Sequence, residues 1–136
     1  MLMISMRIAL FEFCFVFTFC LLFIACEEKD LYSSKSEDEI EMSSLKIEID
    51  KMSSQVSCDQ AIDWKFVTIG SKACGGASGY VAYSVKIDEK LFLDKVDLYT
   101  QKQKAFNIKW GVVSDCSLIM PPKAVECING KPKFVY

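Results

Sequence analysis

The stretch that decides the fold is "WKFVTIGSKACGGASGYVAYSVKIDEKLFLDKVDLYTQKQKAF", residues 64–106. Its first residues, 64–70, largely alternate between apolar and polar side chains, are rich in strand formers and end at a glycine, which predicts a β-strand. Residues 71–79 predict a glycine-rich loop, and the strand formers of residues 80–87 predict a second strand. Asp88 then predicts the N-cap of an amphipathic helix that runs to the end of the quoted stretch.

The residues after this helix predict two further β elements. Residues 108–116, "IKWGVVSDC", have the composition of a third strand. Pro121 and Pro122 break the chain before a final hairpin, whose turn is predicted at Asn129–Gly130. Pro132 suits an edge strand of that hairpin. The sum is an α+β fold, in which a small antiparallel sheet carries one main amphipathic helix and a leading N-terminal helix.

The leading helix is predicted over residues 39–56 from apolar residues spaced alternately three and four apart. These residues are Met42, Leu45, Ile49, Met52 and Val56. Two heptads are too few to argue for a lasting coiled coil, so the pattern favours a single helix laid against the domain. A dimer seam is the alternative interpretation.

Residues 57–136 form the predicted folded domain, which at this size needs covalent staples. Four cysteines can supply them: Cys58, Cys74, Cys116 and Cys127. Four cysteines permit three pairings. The favoured one joins Cys58 to Cys127, tying the start of the domain to its last hairpin, and Cys74 to Cys116, pinning the glycine loop to the end of a strand. Loop entropy, about 4 kcal/mol for either bridge, does not decide between pairings. A four-thiolate zinc site is the alternative.

The N-terminal residues have the build of an export signal. Residues 8–24 are apolar apart from two residues and would span about 25 Å as a helix, a little less than a hydrocarbon core of about 30 Å. Arg7 precedes this run, and the small residue Ala25 closes it. That arrangement is typical of a cleaved signal peptide, predicted here over residues 1–25.

The signal ends on the letters "FIAC", residues 23–26. They resemble the lipobox of bacterial lipoproteins, with Phe23 in place of the usual leucine. The resemblance implies cleavage after Ala25 and acylation of Cys26, which would then hold the chain in a lipid bilayer. The count of seven cysteines agrees, because two leave with the signal and lipidation of Cys26 leaves an even four. An uncleaved signal anchor and a free Cys26 are the alternatives.

Residues 26–38 are acidic and serine-rich, which predicts a flexible tether. The acidic residues directly after Cys26 also resemble the export signals of surface-displayed lipoproteins in some Gram-negative bacteria. That resemblance implies the outer membrane or the cell surface of the envelope, rather than the inner membrane. Residues 52–136 hold eight acidic and eleven basic residues. This surplus is too small for the basic face of a nucleic-acid-binding protein.

The motifs "GSKACGGASGYVAYS", "SDC", "PP" and "C-x-N-G-K" together resemble a family of small, exported, mostly uncharacterised bacterial proteins. The family pattern is G-S-K-x-C-G-G-P-x-x-Y-x-x-Y-S, and Ala77 stands where that family usually has proline. The likeness covers residues 57–136. Some relatives carry two further cysteines, near Trp64 and near the C-terminus, whose pairing would bring the two ends of the domain together. The resemblance therefore supports Cys58–Cys127, and it implies no activity.

The chain shows no recognisable catalytic pattern, and we expect it not to be an enzyme. It has no histidine for a hydrolytic triad. The loop Cys74–Gly79 lacks the first glycine and the following helix of a dinucleotide site. We expect a tight turn beside a disulfide there, and no cofactor or metal.

A small protein-binding module is the function that these residues favour. Lys72, Tyr80 and Tyr83 form the candidate binding surface, with the tyrosines as aromatic anchors. A structural, self-associating envelope lipoprotein is one alternative. A protease-inhibitor-like module is another, in which the Lys72–Gly79 loop would present an exposed Lys72 to a trypsin-like protease.

Overall fold

The computed structural model describes residues 33–136, so the predicted signal peptide, Cys26 and most of the predicted tether lie outside the described residues. Two helices and two hairpins form an α+β fold, as predicted. In chain order they are α1 (Lys35–Ser53), β1 (Trp64–Ile69), β2 (Gly79–Ser84), α2 (Glu89–Lys109), β3 (Ala124–Ile128) and β4 (Lys131–Val135). Neither helix of this described part is long and apolar enough to cross a membrane.

The antiparallel strands are divided between two separate two-stranded sheets, β1–β2 and β3–β4. In the first sheet, Trp64 lies opposite Ser84 and Ile69 lies opposite Gly79. Because side chains alternate along a strand, each hairpin presents two faces. The odd-numbered residues of β1–β2 face the helices, and the even-numbered residues face β3–β4. The second strand is shorter than predicted, since a turn begins after Ser84.

The larger core lies between the two helices and the β1–β2 hairpin. Its buried residues are Leu45, Ile49, Ile69, Val81, Tyr83, Ile87, Phe92 and Val96. Met52 and Val56 pack against its margin. The predicted apolar seam of the leading helix therefore faces the domain, which confirms the single-helix interpretation. Within this seam, Leu45 and Ile49 are buried in the chain's own core, whereas Met42, Met52 and Val56 are half-buried.

The smaller core lies between the two hairpins. Cys58, Trp64, Ala82 and Val125 are buried there, and Phe66, Cys127 and Phe134 pack around them. The rings of Phe66 and Phe134 meet edge to face, with 6.1 Å between their centroids. A disulfide joins Cys58 to Cys127 within this cluster. The start of the domain is thus tied to its last hairpin, in the pairing that the sequence favoured.

The final hairpin turns at Asn129 and Gly130, as predicted. Both residues have positive φ, 52° and 73°, which matches the left-handed backbone that an Asn-Gly turn requires. The Gly130 carbonyl accepts a hydrogen bond of 2.9 Å from the backbone N–H of Cys58. A backbone hydrogen bond and the neighbouring Cys58–Cys127 disulfide therefore both hold the turn in place.

Helix α1 begins at Lys35, four residues before the predicted start, so the end of the predicted tether is helical. The cause is a capping box. The Glu37 N–H donates to Ser34 Oγ at 3.3 Å, and the Ser34 N–H donates to Glu37 Oε2 at 2.7 Å. These hydrogen bonds from Ser34 lower the pKa of Glu37. In the same first turn, Asp38 accepts from Trp110 Nε1 at 2.9 Å, which joins α1 to the end of α2.

Helix α2 begins after the N-cap Asp88, whose carboxylate accepts from the Leu91 N–H at 3.0 Å. It continues to Lys109, and the strand predicted over residues 108–116 is not formed. Gly111 ends the helix with a φ of +59°, while the Val112 N–H donates to the Asn107 carbonyl at 3.0 Å. This is the hydrogen bond of a glycine-terminated helix. Residues 112–123 then form no regular helix or strand.

Three ion pairs spaced along α2 align the two helices. Lys95 binds Glu48 at 2.6 Å, Lys102 binds Glu41 at 2.8 Å, and Lys109 binds Asp38 at 2.8 Å. The lysines ascend the chain while their partners descend it, so the helices run antiparallel. Exposed pairs of this kind contribute little stability, so they mainly fix orientation. Lys95 and Lys102 interrupt the apolar face of α2 in the sequence. Their ion pairs with Glu48 and Glu41 account for these two positions.

The inward face of α1 can be tested with two isoleucines on the same helix. Ile49 is fully buried, whereas Ile47 is 64% exposed. Ile49→Ala should lower the free energy of unfolding by about 2–5 kcal/mol, because it removes buried methylenes and leaves a cavity. Ile47→Ala should change it by less than about 0.5 kcal/mol. Urea unfolding with the disulfides intact measures both, and equal losses would contradict this packing.

Candidate functional site

The glycine loop between β1 and β2 is bound to a polar stripe on α2. The Gly70 N–H donates to Thr100 Oγ1 at 2.9 Å, and the Ser71 N–H donates to Gln103 Oε1 at 2.8 Å. Asn107 Nδ2 donates to the Ser71 carbonyl at 2.8 Å. The three α2 residues lie three and four apart, so they share one side of the helix. A side chain at Gly70 would collide with Gln103, so the close approach of loop and helix requires glycine.

Within this loop the chain makes a tight turn, as predicted. The Lys72 N–H donates to the Gly76 carbonyl at 2.9 Å, and the Gly75 N–H donates to the Lys72 carbonyl at 3.0 Å. Gly75 and Gly76 have φ values of 97° and 81°. These values favour glycine, because a Cβ is strained there. No phosphate-binding helix follows the turn, since the next element is β2.

Lys72 is not exposed, and this corrects the prediction that it presents itself to a partner. Its side chain is only 14% exposed. The ammonium donates to Asp115 Oδ1 at 2.9 Å, to the Ser117 carbonyl at 2.6 Å and to Ser117 Oγ at 3.0 Å. All three ammonium hydrogens are thus directed at residues more than forty positions away. A protease-inhibitor-like role for Lys72 loses its basis, because the charge is already bound within the chain.

A disulfide makes the same connection covalently. Cys74 of the glycine loop is bonded to Cys116, with 5.7 Å between their Cα atoms. This is the second favoured pair. The four-thiolate zinc alternative is wrong, because all four of these cysteines lie in disulfides. Among residues 33–136, no cluster of three or more histidine, cysteine or acidic side chains is arranged to hold a metal ion.

The carboxylate of Asp115 is the electrostatic centre of this connection. Hydrogen bonds from Lys72 and then from the hydroxyl and N–H of Ser117 lower its pKa to about 2. The Ser117 hydroxyl accepts from the Lys72 ammonium at 3.0 Å and donates to Asp115 Oδ2 at 2.8 Å. The arrangement is therefore a cross-link between two segments.

Tyr80 and Tyr83 lie on opposite faces of β2, so they do not form one surface with Lys72. Tyr83 is buried in the larger core, and its ring stacks on Phe92 with 4.9 Å between centroids. Its hydroxyl donates to Glu89 Oε1 at 2.9 Å. Burial, followed by this hydrogen bond, raises the pKa of Tyr83 to about 12. The prediction of Tyr83 as an anchor for a partner is therefore wrong. Tyr80 is half-buried, with its ring 6.0 Å from that of Phe66.

Two strongly exposed apolar residues follow Cys116 in the chain, in a segment for which the sequence predicted no function. Leu118 is 93% exposed and Met120 is 71% exposed. We call residues 117–120 the apolar loop. A cavity of about 210 Å³ separates it from the glycine loop, with Tyr80 on its wall. The sequence signal was available as "SLIMPP", an apolar run that ends at two prolines and so cannot continue into a strand.

Comparison with known proteins finds no relative: no family model, curated protein or solved structure matches the chain. The resemblance to small exported bacterial proteins stays a prediction.

The carboxylate of Asp115 predicts a pH dependence of the apolar loop. Because its pKa falls from the ordinary 3.8 to about 2 in the folded chain, its contribution to stability is complete above pH 3.8 and lost as the pH falls through about 2. The NMR titration of the Asp115 carboxyl carbon should have its midpoint near 2. The Ser117 amide donates to Asp115. Its exchange rate, divided by the intrinsic rate at each pH, should therefore increase as the pH falls over the same range.

Two variants test the assignment. In Asp115→Asn the exchange rate of the Ser117 amide, divided by its intrinsic rate at each pH, should no longer change over this pH range, because the titrating group is gone. Asp94→Asn, on the exposed side of α2, should behave like the native chain. A native midpoint near 3.8 would contradict the ion pair with Lys72.

Proposed function

We propose that this protein is a small protein-binding module of the bacterial envelope that binds its partner through the apolar loop. The observation that carries the proposal is the exposure of Leu118 and Met120 on a segment fixed to the domain. Exposed apolar side chains on loops often serve binding. Here they follow Cys116 of the disulfide and Ser117, whose carbonyl binds the Lys72 ammonium at 2.6 Å.

Restraint of the apolar loop in the free protein lowers the entropic cost of binding a partner. A flexible loop loses conformational entropy when a partner immobilises it, and this loss opposes association. The disulfide and the ammonium of Lys72 already restrict residues 115–117 in the free protein. Leu118 can therefore enter a partner's pocket with little further ordering, which is how a few central side chains come to carry most of an interface's energy.

The self-associating alternative has less support. Its surface was the seam of α1, whose central residues Leu45 and Ile49 are buried in the larger core. The Ser117 hydroxyl and the Lys72 ammonium both bind the Asp115 carboxylate, and we assign them to a structural cross-link.

The anchor completes the proposal. The resemblance of "FIAC" to a lipobox implies that Cys26 is acylated, and two acyl attachments hold far more firmly than one. The two disulfides are typical of a compartment outside the cytoplasm. We therefore place the domain outside the cytoplasm, in the outer membrane or at the cell surface, with residues 27–34 separating the lipid from α1.

Site-specific cross-linking tests the apolar loop. With p-benzoylphenylalanine in place of Leu118, irradiation of whole cells should give one discrete adduct, because a specific partner presents one surface. The matched control is Ile108, which is 76% exposed on α2 and should give no such adduct. Leu118→Asp, combined with the photoreactive group at Met120, should abolish the adduct.

An adduct of the same size and yield from both Leu118 and Ile108 would overturn the proposal, since non-specific contact does not distinguish two exposed apolar positions. The absence of any adduct at Leu118 and Met120 would overturn it as well.

The anchor is tested by intact mass and by one substitution. The membrane-extracted protein should begin at Cys26, carry acyl mass and lack four hydrogens for two disulfides. Cys26→Ser should release the chain from the membrane fraction, because no acyl chains can be attached. Ser33→Ala is the matched control and should remain bound. A Cys26→Ser product that stays in the bilayer at its normal length would sink the lipid anchor, while leaving the apolar loop to be judged by cross-linking.

A further inference from the structure

The outer edge of β1 keeps its backbone hydrogen-bonding groups free. The Val85 N–H donates to the Asp63 carbonyl at 2.8 Å, which makes the odd-numbered residues of β1 the ones that bond to β2. The N–H and C=O groups of Phe66 and Thr68 must then point away from β2. Within residues 33–136, no third strand pairs with this edge.

The two edges of this sheet differ. On the outer edge of β2, the carbonyl of Ala82 accepts a hydrogen bond of 2.6 Å from Ser53 Oγ at the end of α1. That contact occupies the place where another strand would bond. Residues 33–136 place no such cap on the edge of β1. Because unpaired strand edges recruit other strands, natural proteins usually cover or charge them. An uncovered edge is therefore a candidate binding site.

A groove of about 600 Å³ lies beside this free edge. Its accessible apolar lining comes from Ile62, which is 85% exposed, and from the half-buried Phe66, whereas Trp64 and Val125 are buried beneath it. Two lysines, Lys65 and Lys123, complete its charged lining. Lys65 already binds Glu89 at 2.9 Å, whereas Lys123 forms no salt bridge within the part of the chain that the structure describes. The groove thus offers apolar contacts and an unneutralised positive charge.

We propose that β1 accepts an extended segment of a partner protein as an added strand, and that this segment alternates apolar and acidic side chains. The Phe66 and Thr68 backbone groups would supply main-chain hydrogen bonds, the usual source of affinity in strand addition. The apolar side chains would meet Phe66 and Ile62, and the acidic ones would approach Lys123. A second copy of this chain fits less well, because edge-to-edge pairing would bring the lysines of both copies into one groove.

The edge site borders the apolar loop, because Thr68 and Leu118 line the same cavity of about 210 Å³. Phe66 and Lys123 line the separate groove of about 600 Å³, which contains no residue of the apolar loop. Failure of either proposal leaves the other to its own measurement, since the cross-linking positions and the backbone amides of β1 are read separately.

The test uses the full chain, isotopically labelled in detergent micelles, and a defined probe. The probe is an acetylated and amidated octapeptide of alternating valine and glutamate, and its counterpart carries lysine in place of glutamate. Binding of the glutamate peptide should shift the amide signals of Phe66 and Thr68 and slow their hydrogen exchange at least about tenfold. The lysine peptide should bind at least about tenfold more weakly, because its charges face Lys123.

Matched variants separate charge from backbone. Lys123→Glu should weaken the glutamate peptide about fivefold or more. Lys133→Glu, on β4 and outside the groove, should change binding by less than about twofold. Thr68→Pro removes one outward N–H that β2 does not use, so the strand can tolerate it while binding is lost. Preserved signals from the larger core would show that this variant remains folded. If Thr68→Pro unfolds, the comparison of Lys123→Glu with Lys133→Glu remains as the test of the proposal.

Four results would overturn the proposal: equal affinity for both peptides, no saturable binding, peptide-induced shifts confined to residues 117–120, or equal effects of the two lysine variants. Protection of the Phe66 and Thr68 amides in the free protein would also overturn it. Loss of that protection on dilution would assign the edge to a second copy, and loss on deletion of residues 27–32 would assign it to the chain's own acidic segment.

Discussion

Packing of α2 on the β1–β2 hairpin is the interaction on which the other parts of the molecule depend. Its centre is Phe92, which is fully buried and stacked on Tyr83. The same helix binds the glycine loop through Thr100, Gln103 and Asn107, and its last turn receives the first turn of α1. A domain of this size buries too little surface to position its loops by packing alone. One helix therefore serves the core with its apolar side and the loops with its polar side.

The elements that were predicted correctly are those whose signals are local. Asp88 caps a helix through an N–H three residues away, and Asn129–Gly130 turns a hairpin because both residues tolerate positive φ. Two of the boundary errors, at the start of α1 and at the end of α2, had local signals as well. Ser34 and Glu37 form a capping box inside a segment whose acidic composition favoured a tether. Gly111 ends a helix, although Val112 and Val113 after it have strand composition. In both places a single capping interaction outweighed the average propensity of the window.

The candidate site was less predictable, because its partners are distant in sequence. Lys72 and Asp115 are 43 positions apart, and no local pattern indicates that one neutralises the other. The disulfide was the available hint, since joining Cys74 to Cys116 necessarily brings their neighbours together. Tyr83 could have been placed from the alternation of a strand alone: positions 80 and 83 differ in parity, so they face opposite sides. An aromatic pair at that spacing cannot form one surface.

The distribution of polar contacts distinguishes the apolar loop from an ordinary connection. A connection that only has to reach β3 from α2 needs no disulfide, and its apolar residues would normally be buried or replaced by polar ones. Here an ammonium, a carboxylate and a disulfide restrain residues 115–117, yet Leu118 is 93% exposed. This combination of a restrained backbone and an exposed apolar side chain is what supports the proposal that the apolar loop binds another molecule.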